Sequence, residues 1–387
     1  VGEQRKAKAF LVTILILTLT LATVAALYFT AKPASSSEVY VGMNIAYGGE
    51  ETAIHLIDTV SDYVNLIILG ALNLTTNREA LGRVCDYIYQ KDLSFIIYVG
   101  FSTSNDLVPP RGPDDNFFRD ATEKYGNRFL GVYLFDEVGG KLIDGAHSVD
   151  VSEASTYTEA ANTYILHLGY FLSNYSSHYE PPELKLFTSD YTLYWFDYAA
   201  SYDVVFAEYI GTGSKEIPTG LCRGAATAQQ KDWGAMLTWS NYQDFIDTPQ
   251  QIYDDMVYAY DNGAKYIIVF NSATDHTEAE YGGLTEQHLQ AMKNFWEYKK
   301  THQPNPPSTT AYVLPRDYGY DFRKTNGHIW GKWSADALTQ QIWSSLNLQL
   351  ENYGSSLDIV YETLTDNYPV TLPYDRLIYW NGTIIEK

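Results

Sequence analysis

The chain has little that could crosslink it or hold a metal. It carries two cysteines, Cys85 and Cys222, and eight histidines in 387 residues. No cysteine cluster or His-x-His pattern occurs, so neither a disulfide framework nor a structural zinc site is expected, and no metal or cofactor is assigned. The strand count below puts both cysteines on helices at opposite sides of a barrel, beyond disulfide reach, so two buried free thiols are expected. Charge is scarce, at 19% of residues, which excludes a disordered polyelectrolyte. Positive charge is scarcer still: 26 Lys and Arg face 47 Asp and Glu, for a net charge of −21. An acidic body repels nucleic acid and anionic lipid, which argues against both as partners. Phosphate loops are missing too. Gly48-Gly49 and Gly139-Gly140 are short turn signals, and no nucleotide site follows from them.

What the chain does have is apolar material, 45% of residues, and 34 tyrosines. The first is enough for a sizeable core. The second suits a surface that stacks on sugars or packs against neighbouring subunits.

One apolar run is exceptional. Ala9–Ala31 reads AFLVTILILTLTLATVAALYFTA, without a charge. At ~1.5 Å per residue, about 20 residues cross the ~30 Å hydrocarbon core of a bilayer. Arg5, Lys6 and Lys8 precede the run, so the positive-inside rule places the N-terminus in the cytoplasm and everything after Lys32 outside. Residues 1–31 are therefore expected to be a basic stub and a transmembrane anchor, and 32–37 a Pro/Ser tether. That makes a single-pass protein of the cell surface with its bulk extracytoplasmic. Two other readings stay open. The run could be a signal peptide cleaved within Ala31–Ser37, or a pilin-like helix packed in the core of a filament or lattice, although the basic cluster argues against the latter. Asn73, Asn174 and Asn381 head N-x-Ser/Thr sequons on the external side, a pattern compatible with glycosylation.

From Glu38 to about Gln303 the pattern repeats as apolar run, polar loop and helix of period 3.6. Eight runs occur: Val39–Asn44, Tyr63–Leu69, Ser94–Gly100, Phe129–Phe135, Leu184–Thr188, Asp203–Ala207, Gly234–Thr238 and Lys265–Phe270. Most are nearly continuous apolar stretches, as parallel strands buried on both faces require. Helical patterns separate them, among them Glu51–Asp62, Arg78–Lys91, Ser152–Ser177, Pro249–Asn262 and Glu286–Lys300. Eight βα units in about 250 residues predict an α/β chain with a (β/α)8 TIM barrel over 38–302. A Pro-rich linker, 303–308, leads to a small α/β module over 309–387. Its strands are expected at Ala311–Leu314, Leu357–Tyr361 and Leu377–Trp380, with a helix at Ala335–Tyr353.

Reacting groups in such a barrel project from the C-terminal ends of its strands. Strand four ends in Asp136-Glu137-Val138-Gly139-Gly140, five in Asp190-Tyr191, six in Glu208-Tyr209 and seven in Trp239-Ser240-Asn241. The Tyr133-Leu-Phe-Asp136-Glu137 strand end, the Gly139-Gly140 pair, Cys222-Arg223-Gly224-Ala225-Ala226 and Lys231-Asp232-Trp233-Gly234 resemble glycoside-hydrolase-like proteins of archaeal and bacterial surfaces, over most of residues 38–300. The C-terminal module resembles the flavodoxin-like or amidotransferase-like domains appended to some barrel glycosidases. These resemblances imply a barrel that acts on or binds polysaccharide, with self-association into a lattice or filament, or adhesion to glycans, as alternatives.

Glycoside hydrolysis usually needs two carboxyl groups flanking the scissile bond. The pair expected here is Glu137 and Glu208, with Asp136 and Asp190 in reserve. Tyr47, Tyr191, Trp195, Tyr209, Trp239 and Asn241 are the candidate sugar-binding wall. The alternative for Asp136 and Glu137 is a structural one, in which one caps the following turn or pairs with Arg223. One departure stands out. The large retaining clan that the motif resembles places its nucleophile after strand seven, where this chain has Trp239-Ser240-Asn241 and no carboxylate.

Overall fold

The computed structural model describes residues 38–99, 112–113, 115–146, 149–176, 184–241, 245–271, 284–363 and 372–387. The apolar segment 9–31 lies outside the described residues. Among those described, no helix is long and apolar enough to cross a membrane.

Eight parallel strands close into a barrel. They are β1 (Tyr40–Ile45), β2 (Leu66–Leu69), β3 (Ser94–Tyr98), β4 (Phe129–Tyr133), β5 (Lys185–Asp190), β6 (Val204–Ile210), β7 (Asp232–Thr238) and β8 (Tyr266–Asn271). Each pairs with its sequence neighbour, and β8 pairs with β1 in register from Tyr40↔Tyr266 to Ile45↔Asn271. The eight apolar runs are thus the eight strands. All of Leu66–Leu69 is buried, as a strand covered on both faces requires.

Helices α1 (Glu50–Val60), α2 (Arg78–Gln90), α3 (Asp115–Tyr125), α4 (Val138–Ile143), α5 (Tyr157–Ser176), α6 (Tyr194–Ala199), α7 (Glu216–Ala228), α8 (Pro249–Asp261) and α9 (Glu286–Thr301) connect or follow the strands. Local signals set their ends. Thr248 caps α8 in a reciprocal box with Gln251, with Pro249 in the first turn, which satisfies amide groups the first turn leaves orphaned. Cys85 on α2 and Cys222 on α7 are buried and unbridged, as expected.

Successive strand residues alternate between the barrel interior and the surrounding helices. The interior cluster takes Tyr133 from β4, Phe187 from β5, Val204 and Phe206 from β6, Met236 from β7, and Tyr266 and Ile268 from β8. Its rings interlock, with Tyr40 stacked on Tyr266 at 5.1 Å and Phe187 edge-on to Tyr266 at 5.5 Å. The lower barrel is therefore a packed plug, and chemistry is left to the C-terminal rim.

Residues beyond the linker form a second sheet, in the order β10 (Leu357–Tyr361), β9 (Thr310–Leu314), β11 (Arg376–Tyr379) and β12 (Ile384–Glu386). The first three are parallel and β12 is antiparallel. The helix α10 (Ala337–Tyr353) follows β9, its start capped by Asp336. This sheet belongs to the same compact unit as the barrel. It lies against α7, where a side chain on Gly224 would come within 2.5 Å of the Ile359 carbonyl. Trp195 and Ala228 pack into its apolar cluster with Val313, Val360 and Leu377.

Candidate active site

The site is built by β4, β5 and β6. Strand parity decides which side chains face it. Phe187 points into the barrel, so Ser189, two residues on, does as well. The same step from Phe206 turns Glu208 inward. Strand β6 runs three residues past its expected end at Ala207, so Glu208 sits within the strand, paired with Met236.

The turn after β4 is unusual. Phe135 and Glu137 both adopt left-handed backbone, at φ 56° and 55°, a state that costs about 1–3 kcal/mol for a non-glycine residue. The turn persists because β5 pins it. Glu137 N–H donates to the Ser189 carbonyl at 3.0 Å, and Thr188 Oγ1 donates to the Phe135 carbonyl at 2.7 Å. Asp190 completes the clamp, accepting N–H bonds from Gly139 and Gly140 at 2.7 and 2.8 Å and from Tyr191 and Thr192 at 2.7 and 3.1 Å. Glycine is required at 140, where a Cβ would lie 2.1 Å from the Tyr191 ring.

On this turn Glu137 and Asp136 face Lys141, one helical turn further on. The Lys141 ammonium lies 3.2 Å from Glu137 Oε2 and 3.6 Å from Asp136 Oδ2. Glu137 keeps 28% of its side chain exposed, whereas Glu208 beneath it is 7% exposed. The Glu137 charge is felt at Glu208. Glu208 Oε1 lies 2.5 Å from Ser189 Oγ, Ser189 Oγ lies 2.7 Å from Tyr133 Oη, and Tyr133 Oη lies 2.6 Å from Asp136 Oδ1. Tyr98, at the end of β3, packs on Tyr133 with ring centroids 5.0 Å apart.

Burial, reinforced by the Asp136 charge, raises the Glu137 carboxyl above its ordinary range, and Lys141 opposes the rise. Burial and the charges of Glu137 and Asp136 push Glu208 far up. Desolvation disfavours the charged form, and so do neighbouring anions, so both effects act in one direction here.

The structure brings together Glu137, Glu208 and Asp136. It does not bring Asp190 to the site. That carboxyl, a reserve catalytic candidate in the sequence, is 1% exposed and committed to four backbone donors. Arg223 does not meet Asp136 or Glu137 either. It is buried between α7 and the second sheet, 2.6 Å from Asp358. Glu137 occupies the position before α4 but makes no side-chain cap.

The candidate sugar wall divides in the same way. Tyr191 is half-buried, its hydroxyl donating to Asp144 at 2.8 Å and its ring under Arg323 at 4.5 Å. Tyr47 is half-buried. Tyr209 and Trp239, by contrast, are 1% exposed. Tyr209 has outward parity and bonds Thr219 on α7, and the Trp239 indole donates to the Phe270 carbonyl. Neither offers a face to a sugar, because both rings are spent on packing. Trp195 packs on Tyr361 of the second sheet. The side chain of Asn241 lies outside the described residues. Asn73, Asn174 and Asn381 are exposed. Tyr133, Ser189, Lys141 and Tyr98 were not singled out in the sequence. Inward parity would have found Ser189 and Tyr133, and the i, i+4 spacing from Glu137 would have found Lys141. Among the described residues, no group of three or more His, Cys, Asp or Glu could hold a metal ion.

The barrel matches solved structures at low identity. A β-galactosidase from the Antarctic haloarchaeon Halorubrum lacusprofundi superposes with a TM-score of 0.58 at 9% identity, over 88% of this chain and 68% of that one. A GH5_18 variant from Streptomyces cattleya, in complex with Manb1-4GlcNAc, gives 0.55 at 13% identity, over 89% of this chain and 100% of that one. The fold is that of glycoside-hydrolase TIM barrels. No protein-family model and no curated protein sequence matches the chain. At such identities the likeness is one of architecture, and the chemistry of this glycoside-hydrolase-like barrel rests on its own residues.

Proposed function

We propose that this chain is a membrane-anchored, extracellular carbohydrate-active protein in which Glu137 is the proton donor to a glycosidic oxygen. One observation carries the reading: a partly exposed carboxyl, held on a strained turn at the C-terminal rim, with burial and a neighbouring acid raising its proton affinity. A general acid must keep its proton at the working pH and still reach its substrate. Glu137 is shifted toward holding its proton and stays reachable, whereas Glu208 is shifted the same way but buried. Tyr191 and Tyr47 supply the aromatic faces against which a sugar stacks. Anchoring through residues 9–31 places the barrel where polysaccharide is met. The flavodoxin-like module, joined to the barrel by packing, stiffens it and carries no chemistry of its own.

The test is release of reducing sugar from a panel of β-mannosides, β-galactosides and surface polysaccharides by the wild type and Glu137→Gln. Hydrolysis that falls by 10²-fold or more in the variant, the size of about 2.7 kcal/mol of lost acid catalysis, supports the reading. No hydrolysis of any substrate, or equal rates, sinks it.

A second reading is favoured by the burial of Glu208, which is 7% exposed. Retaining glycosidases hold their two carboxyls about 5–5.5 Å apart so that a sugar fits between them. Here the second carboxyl is buried beneath the first, and no carboxylate directly follows β7. In this reading the rim binds glycan without cleaving it, as an adhesin or as a subunit of a surface lattice or filament. Glycan-array binding that survives Glu137→Gln, with no hydrolysis by either protein, selects it.

A further inference from the structure

Helix α4 is held at both ends by other parts of the chain. It has six residues, Val138–Ile143, and two of them are glycine. A helix that short closes too few hydrogen bonds to offset its nucleation, and glycine is the least favourable helix residue after proline. So α4 forms because its ends are pinned. At its start, Asp190 of β5 accepts from the Gly139 and Gly140 amides. Its far end is reached by the C-terminal module.

Residues 315–336, between β9 and α10, carry that contact. Trp330 anchors them. It is fully buried, with its ring 5.8 Å from Tyr164 on α5 and 4.6 Å from Phe196 on α6. Beside it, Gly331 has left-handed backbone, and a Cβ there would lie 2.4 Å from the Leu142 carbonyl of α4. Lys332 Nζ donates to the Ala154 carbonyl, ahead of α5, at 2.5 Å. Arg323 completes the hold. Its Nη1 and Nη2 donate to Asp144 Oδ2 and Oδ1 at 3.1 and 2.6 Å. Asp144 is the residue that closes α4, its amide donating to the Gly140 carbonyl at 2.9 Å. Asp321 orients the guanidinium, accepting from Nε at 2.7 Å.

Between the two holds stands Lys141. Its ammonium lies 2.9 Å from the Asp136 carbonyl and 3.2 Å from Glu137 Oε2. We infer that Arg323 is a positioning residue for Glu137: by gripping Asp144 it fixes α4 from the C-terminal module and keeps Lys141 against the Glu137 carboxyl. The consequence for function rests on the reading of Glu137 as the proton donor. The module adds no reacting group, but it sets the surroundings of one. Arg323 and Asp144 are 34% and 45% exposed. Ion pairs this open contribute little to global stability, so losing this one loosens α4 and leaves the barrel folded.

A cycle of titrations tests this. The groups facing Glu137 are Asp136 beside it, Lys141 on α4, Glu208 on β6, Asp190 and Tyr191 at the end of β5, and Tyr98 on β3. Lys141 is the one cation among them, so removing it has a fixed sign. Glutamate side-chain carboxyls are labelled with ¹³C in the full chain, held in detergent, and the Glu137 signal is assigned by its loss in Glu137→Gln. Lys141→Met raises the Glu137 midpoint by about one unit in the otherwise unchanged chain. In the Arg323→Ala background Lys141 is already released, and the same substitution moves the midpoint by less than about 0.3 unit. Asp144→Asn breaks the pair from the barrel side and gives the same loss of coupling. Amide exchange over residues 138–146 quickens about tenfold in both backgrounds, while α8 and α9 keep their protection. If Arg323→Ala loses protection throughout the barrel, Asp144→Asn decides. An undiminished Lys141→Met shift in these backgrounds, or unchanged exchange over 138–146, overturns the inference. Neither readout needs activity. Absence of hydrolysis and glycan binding, with the coupling lost in Arg323→Ala, removes the carbohydrate reading and leaves this one standing. Glu137-dependent hydrolysis with the coupling intact does the reverse.

Discussion

Arg223→Met isolates the join between the barrel and the second sheet. Arg223 is 8% exposed and Asp358 is 1% exposed. Arg223 Nε donates to Asp358 Oδ1 at 2.6 Å, Nη1 to Asn262 Oδ1 at 2.9 Å and Nη2 to the Ser355 carbonyl at 2.8 Å. Asp358 has one further partner, Tyr374, at 2.7 Å. Removing the arginine leaves a buried carboxyl with that single donor and orphans two acceptors. Breaking a buried pair from one side costs about 3–5 kcal/mol, while replacing both partners by apolar groups is close to neutral. Arg223→Met should therefore lower stability by about 3–5 kcal/mol at pH 7, and Arg223→Met with Asp358→Leu should recover most of it. The loss should shrink as the pH falls, because burial already raises the Asp358 carboxyl and a protonated acid needs no cation. Urea unfolding of the single and double variants measures this. A loss below about 1 kcal/mol for Arg223→Met, the size of an exposed ion pair, refutes the reasoning. So does a natively folded Arg223→Met protein that has lost Glu137-dependent activity, since the arginine would then serve the site.

Two further outcomes follow from the same structure. Burial pushes Asp255 up to about 6 and Asp190 up to about 7. A folded-state value above the unfolded one means that the native state holds more protons between the two, so stability falls as the pH rises through that window. The urea midpoint should decline from about pH 4.5 to about pH 7. The carboxylates lowered by ion pairs, Asp86 and Asp144, act in the opposite sense only below their ordinary range, and a midpoint that climbs between pH 5 and 7 contradicts the assignment. Gly140→Ala should displace the Tyr191 ring from its seat between Asp144 and Arg323, costing about 1–3 kcal/mol as an overpacking change and weakening glycan binding. Unchanged stability and binding would remove Tyr191 from the site.

The barrel was legible because its signal is redundant. A parallel strand covered on both faces writes itself as a continuous apolar run, and eight such runs at even spacing leave few architectures. The second sheet was legible for the same reason at Ala311–Leu314 and Leu357–Tyr361, whereas exposed β12, all three of whose residues face solvent, carries no burial signal. Aromatic side chains were the poor witnesses. Trp239, Tyr209 and Tyr191 all stand at or just past strand ends, and what separates the two packed rings from the half-open one is which helix lies over each. That is a tertiary fact without a local sequence correlate.

The acids show where more could have been read. Asp190 and Glu208 have similar side chains at corresponding strand ends, yet one clamps a turn and the other faces the interior. Parity separates them. With Phe187 and Phe206 inside, odd steps point out and even steps point in, so Asp190 and Tyr209 face the helices while Ser189 and Glu208 face the rim. The phase is visible in the sequence once one interior residue per strand is fixed, and the large rings Phe187 and Phe206 fix it. The choice between Glu137 and Glu208 as the acting acid is not visible there, because it depends on exposure. Glu137 lies four residues past Tyr133, the last inward position of β4, on a turn whose left-handed backbone lifts it to the surface, and Glu208 lies inside a strand that runs on to Ile210. An acid that must meet a polymer has to be reachable from solvent. The left-handed turn at Phe135-Asp136-Glu137 is therefore the structural reason for proposing Glu137, rather than Glu208, as the proton donor.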